Sequence, residues 1–310
     1  MNTQSNALHE PRIDSQVVAP ALGATRPLYW SIQRELWENR SIYLAPLGVA
    51  GVFLFGFLMS LPRLPKQVRA LASVDPVHYR DAIAMPYDIA AGMMMLTCII
   101  VSVFYCLDAL HGERRDRSIL FWKSLPVSDL TTVLAKGSIP LVVLPLVTFA
   151  VTLALHWIML LISSAVLLGS GLSVATLWTQ LGFFQMSWLL LYHLLTAHAL
   201  WPFPVYCWLL LVSGWARRAP FLWAVLPLVA IAAVEMIAFR TAHFAALVGL
   251  RLFGAAPAIA QSPGDMFPTG PMTHITPDRF LSSPGLWIGL LVGAGFLAAA
   301  VRLRRYRGPI

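Results

Sequence analysis

Charge is what this 310-residue chain has least of. Asp, Glu, Lys and Arg make up 12% of it, against about a quarter in ordinary soluble domains. Hydrophobic residues make up 58%, and mean hydropathy is +0.71. That balance excludes a water-soluble globular domain and places the chain in the membrane class. Cysteine is scarce too. Cys98, Cys106 and Cys207 are an odd number with no CxxC spacing, which excludes a disulfide framework and a zinc ribbon. All three fall inside apolar runs, where free cysteine packs as a small hydrophobe. Motifs for chemistry are missing as well. A phosphate-cradling loop needs GxxxxGK[ST], and Lys136-Gly137-Ser138 has the wrong order. There is no HExxH for a zinc protease, and Gly169-Ser170-Gly171 reads as a turn rather than a nucleophile site. The formal charge of +8 does not indicate nucleic acid, because the basic residues sit at the ends of apolar runs rather than in one polar domain.

What is present is a series of apolar runs about 20 residues long without period-2 alternation. In lipid every backbone polar group must be satisfied internally, so such runs span as helices rather than as a barrel. The reading is an all-α membrane protein with six spans, at about 42–61, 88–107, 139–163, 181–213, 221–239 and 286–303. Residues 1–27 are a polar cytoplasmic tail. Residues 28–40 form an amphipathic helix in the membrane interface, with Tyr29, Trp30, Leu36 and Trp37 on one face and Arg34, Glu35 and Glu38 opposite. Residues 41–307 form a single transmembrane domain. A polar loop covers 62–87, with a short helix near Lys66–Ser73. Pro140 and Pro145 bend the third span, and Trp201-Pro202-Phe203-Pro204 kinks the fourth. A helical insertion at His243–Phe253 precedes the last span. About two thirds of the 22 Lys and Arg residues share one side if both termini are cytoplasmic, which sets the orientation and indicates a multi-pass protein of the cell (inner) membrane.

Four groups of residues are candidates for a role. Gly285, Gly289 and Gly293 repeat at i, i+4, i+8, a stripe on which another helix can approach closely, in this chain or in a second copy. Glu235 is the one acid well inside a span and so a possible intramembrane polar site. His156, His193 and His198 read as packing residues, the last two being five apart and off a shared α-helical face. Asp108–Lys136 holds the densest mixed charge between spans: Glu113, Arg114, Arg115, Asp116 and Arg117, then the apolar Ile119, Leu120, Phe121 and Trp122. Pro126-Val127-Ser128-Asp129 then breaks the chain and caps a new helix from Leu130.

At these residues the chain resembles the ABC-2 family of transporter permeases. Members carry a Glu- and Arg-rich segment after the second span, then Leu-x-x-Leu-Pro-[Val/Thr]-[Ser/Thr], then a Lys-Gly-like step into the third. Here these are Glu113-Arg114-Arg115-Asp116-Arg117-Ser118-Ile119-Leu120, Lys123-Ser124-Leu125-Pro126-Val127-Ser128 and Ala135-Lys136-Gly137. The departure is Arg117-Ser118, where many members have Gly-Thr. The flat N-terminal helix, six spans and an outer helical insertion extend the resemblance in outline over the whole chain.

The resemblance implies the permease subunit of an ATP-driven exporter. Its 108–136 loop would couple to a separate ABC ATPase through Glu113, Arg114, Arg115, Asp116, Arg117, Ile119 and Leu120. Trp30, Arg34 and Trp37 would belong to the interfacial helix. A second permease subunit and the lipid bilayer would be the other partners. The chain would hold no cofactor of its own, ATP being bound by the ATPase, and would not itself be an enzyme. An ion-gradient-driven carrier, an intramembrane enzyme and a non-transporting assembly or sensor subunit are the alternatives. Trp157, Trp188 and Trp201 are compatible with an amphipathic or lipidic cargo.

Overall fold

The structure, a computed structural model, describes residues 25–71, 76–124, 127–253 and 277–307. Residues 1–24 of the tail, Leu125-Pro126 of the loop motif and residues 254–276 before the last span lie outside the described residues. Among those described, the chain is almost wholly helical and has no strand. Five helical stretches are long and apolar enough to cross a membrane, or six if one bent pair counts as a single span. That is the construction of a multi-pass membrane protein.

In chain order, α1 is Thr25–Glu38 and α2 is Ser41–Ser60. A 3₁₀ turn, Leu61–Arg63, carries Pro62 and leads into α3, Leu64–Leu71. Helix α4, Pro76–Ala109, has 34 residues, about 50 Å at the α-helical rise. It corrects the expected 62–87 loop. Proline at the first helical position already has the required φ, so the helix starts a dozen residues before the apolar run and absorbs it. The 108–136 segment forms three short helices: α5 His111–Arg115, α6 Ser118–Ser124 and α7 Asp129–Ser138. The Ser128 hydroxyl accepts from the Thr131 amide at 3.1 Å and caps α7, one residue earlier than the sequence suggests.

Helix α7 runs through a π turn at Ile139–Val143 into α8, Leu144–Gly169. Pro140 has no amide hydrogen to donate, and the i→i+5 register of the π turn accommodates the missing bond without ending the helix. Helix α9 is Ala175–Leu181, and α10 is Phe183–Leu195. A second π turn, Thr196–Leu200, then meets the prolines, and α11 begins at Phe203 and ends at Trp215. The bend there is 47°, at the prolines expected to kink the fourth span. The two π turns pack against each other. Helix α12 is Pro220–Phe239, α13 is His243–Phe253, α14 is Pro277–Ser282 and α15 is Pro284–Tyr306.

Two buried clusters hold the bundle. One gathers Ile42, Cys98, Tyr105, Leu144, Leu194 and Leu210 from α2, α4, α8, α10 and α11. The other joins α2, α4 and α8 to α9 and α10 through Phe57, Tyr87, Met94, Met159 and Phe183. His156 lies in the second. Its Nε2 is 3.1 Å from the Tyr87 carbonyl, and its ring meets that of Tyr87 edge-on. His193 Nδ1 is 2.7 Å from the carbonyl of Leu189. The glycine stripe of α15 is used within the chain. Gly285 faces Trp201, Gly289 faces the Arg251 guanidinium and Gly293 faces the ring of Phe203. Trp157 and Trp188 are exposed on the outside of the bundle, Trp188 at 72%, so they do not line an interior.

Candidate functional site: a charged hub beneath the interhelical loop

The loop is anchored from below by charge. Glu113 of α5 is buried, and its carboxylate meets Arg34 at 2.8 Å, Lys136 at 3.2 Å and Arg304. Glu35 is also buried. It receives Lys136 Nζ at 2.8 Å, Arg34 at 2.9 Å and the Tyr105 hydroxyl at 2.8 Å. Arg304 reaches Asp129 at 3.1 Å, and the Arg34 guanidinium lies 3.9 Å over the Trp122 ring. These contacts tie α1, the end of α4, α5, α6, α7 and α15 into one hub.

Ion pairs here must be near complete, because a charge stripped of water and left unmatched is costly. Burial opposes the charge on Arg34, yet Glu35, Glu38 and Glu113 outweigh it and hold its pKa above the ordinary value. Glu38, at the edge, is pushed up by burial against the pull of Arg34.

A second anchor joins α5 to α11. The Ser213 hydroxyl accepts from the amides of Leu110 and His111, at 2.9 and 2.8 Å, satisfying two donors that a helix start leaves open. Arg114 is buried and donates to the Gly214 carbonyl at 2.7 Å.

These placements divide the coupling residues named from sequence. Glu113, Arg114 and Ile119 are buried, Ile119 at 2%, and serve the inside of the chain. Arg115, Asp116, Arg117, Leu120 and Phe121 face outward. Arg117 has φ of +58°, a left-handed conformation that glycine adopts without strain. On α1, Trp30 and Trp37 are exposed while Arg34 turns into the hub. The aromatic face is thus free to meet lipid and the charged face is spent within the protein.

Glu113 and Arg34 were candidates from sequence, whereas no role was assigned there to Tyr105 or Arg304, and Glu35, Asp129 and Lys136 appeared only as parts of a helix face or a motif. Lys136 and Arg304 lie within three residues of the ends of apolar runs, where a charge can be half in and half out of the bilayer.

Glu235 has a structural partner set. It accepts from the amides of His243 and Phe244 and from the Thr241 hydroxyl, all at 2.8 Å. The carboxylate caps the start of α13, where free amide hydrogens and the helix dipole favour a negative charge.

Among the described residues no group of three or more His, Cys, Asp or Glu is placed to hold a metal ion. No family model, no curated protein and no solved structure matches the chain.

Proposed function

We propose that this chain is the membrane subunit of an ATP-driven exporter of the ABC-2 kind, acting with a separate ATPase, a second permease subunit and the bilayer of the cell membrane. The observation that carries the reading is the form of the loop between α4 and α8. Its outer face presents Arg115, Asp116, Arg117, Leu120 and Phe121, while its inner face is fixed to α1, α7 and α15 by the Glu113 and Glu35 ion pairs. A loop that only had to join two spans would need no such base.

A partner that grips the outer face and changes shape on binding nucleotide would move α5 and α6. The hub would pass that displacement to α1, α7 and α15 together, because breaking any one buried pair costs more than shifting the group. Transport follows if that motion alternates the access of a path at the subunit interface. The chain's own residues then do mechanical work, and hydrolysis belongs to the partner.

The test uses the full chain, tagged and purified from its own host. Wild type is expected to bring vanadate-sensitive ATPase activity with it. The double variant Arg117→Glu, Leu120→Asp, both on exposed positions, should fold and melt as wild type but elute without that activity. A wild-type preparation free of ATPase, or a variant that keeps it, overturns the reading. Vesicle transport that persists without ATP and collapses with the proton gradient would point to the carrier instead.

A further inference from the structure

We infer that α13 is a latch on the break between α10 and α11, closed by the Arg251 guanidinium, and that its release lets the break hinge. Two carbonyls at the break have lost their helical partners. Proline has no amide hydrogen to donate, so Pro202 cannot serve the His198 carbonyl, which accepts instead from the Tyr206 hydroxyl at 2.9 Å. The Trp201 carbonyl loses its donor because the Val205 amide turns to the Pro202 carbonyl at 2.8 Å. Arg251 supplies the replacement, its Nη1 donating to the Trp201 carbonyl at 3.1 Å. A carbonyl in apolar surroundings must be paired. The break is therefore closed partly by its own chain and partly by α13.

Arg251 makes more than that one bond. Its Nη2 donates to the Gly285 carbonyl at the start of α15, and its guanidinium lies 4.2 Å over the Trp201 ring. The Trp201 ring nitrogen in turn donates to the Leu250 carbonyl at 2.7 Å. Gly289 leaves the room for this, because a Cβ there would stand 2.7 Å from the guanidinium. One side chain thus joins α13, the break and α15. At the other end of α13 the Glu235 carboxylate fixes the first turn to α12.

Such a closure is built to open. No residue of 243–252 is buried, so α13 has little packing of its own and is held by its two ends. Arg251 is partly exposed, and its partners among the described residues are carbonyls and a ring. Water can take over each of those contacts as the guanidinium withdraws, whereas the buried pairs of the hub have no such substitute. With Arg251 withdrawn, nothing from α13 fixes the 47° angle between 177–200 and 203–215. The π turn that leads into the break also packs against the π turn after α7, so the hinge stands beside a second irregular turn. This holds whether or not the chain belongs to an exporter.

Hydrogen–deuterium exchange on the purified full chain in detergent reads the latch directly. In Arg251→Gln the peptides covering 196–206 are expected to exchange about tenfold faster, the effect of losing one charged hydrogen bond. Peptides from α8 should keep the wild-type rate. Gly289→Ala, whose methyl takes the place of the guanidinium, should speed the same peptides with Arg251 intact. Arg218→Gln, at an exposed arginine of the next turn, should change nothing. Spin labels on Trp188→Cys and Tyr306→Cys, both exposed, measure α10 against α15, the native cysteines being buried. One narrow distance is expected without further change, and a broader or second one when Arg251→Gln is added. Unchanged exchange over 196–206 in Arg251→Gln overturns the latch. So does an equal rise in α8 with a lower melting temperature, which makes Arg251 an ordinary packing residue. Faster exchange with an unchanged narrow distance makes it a local cap without a hinge, and also overturns the inference.

Discussion

Glu113 carries the most consequence of any single side chain. Three cations converge on it, from α1, α7 and α15, and replacing it removes the charge they share. Glu113→Gln is expected to cost about 3–5 kcal/mol of stability, because the cations stay buried with fewer partners. Asp116→Asn, only three residues along, loses an exposed pair with Arg115. Such pairs contribute little, and it should melt as wild type. Thermal melting of both variants in detergent decides the matter. Equal midpoints would mean that the hub is not holding the loop. The sequence showed these two acids as members of one charged run, and nothing in the run itself marks which of them faces in.

At the scale of elements, α15 and its glycines make a graded test. A Cβ at Gly285 would sit 3.7 Å from the Trp201 ring, an ordinary contact, whereas at Gly289 it would meet the Arg251 guanidinium at 2.7 Å. At Gly293 it would press into the ring of Phe203. Arg251 can withdraw, although it would give up its bonds to the carbonyls of Trp201 and Gly285, while Phe203 is fixed at the start of α11. The expected order of stability is therefore Gly285→Ala close to wild type, then Gly289→Ala, then Gly293→Ala, the last two losing about 1–3 kcal/mol through overpacking. Equal tolerance at all three would show that α15 does not pack on α11 in this register. The i, i+4, i+8 spacing marked the stripe as a contact face. Which helix fills it was not legible, because small residues invite any close neighbour equally.

At the scale of the whole molecule, orientation follows from where the basic residues lie. The positive-inside rule predicts that 108–136 is cytoplasmic and that the α12–α13 connection is external. Cys98, Cys106 and Cys207 are buried, so new thiols can be read against a low background. In intact cells an impermeant maleimide is expected to label Arg240→Cys and to reach Arg117→Cys only after lysis. Labelling of Arg117→Cys from outside would remove any contact between this loop and a cytoplasmic ATPase, and the exporter reading with it.

Composition and the length of the apolar runs determined residence in a membrane and helical structure, since hydropathy is a local sum and lipid leaves the backbone no other way to satisfy its polar groups. They also placed α12, α13 and α15 to within a few residues. The tertiary structure alone decided which charges meet. Arg34 and Glu113 are 79 residues apart, Lys136 and Glu35 are 101, and Arg304 and Glu113 are 191. Attraction between such groups depends on distance in space, which is set by the helix ends that packing brings together and leaves no mark on the local pattern of any one of them.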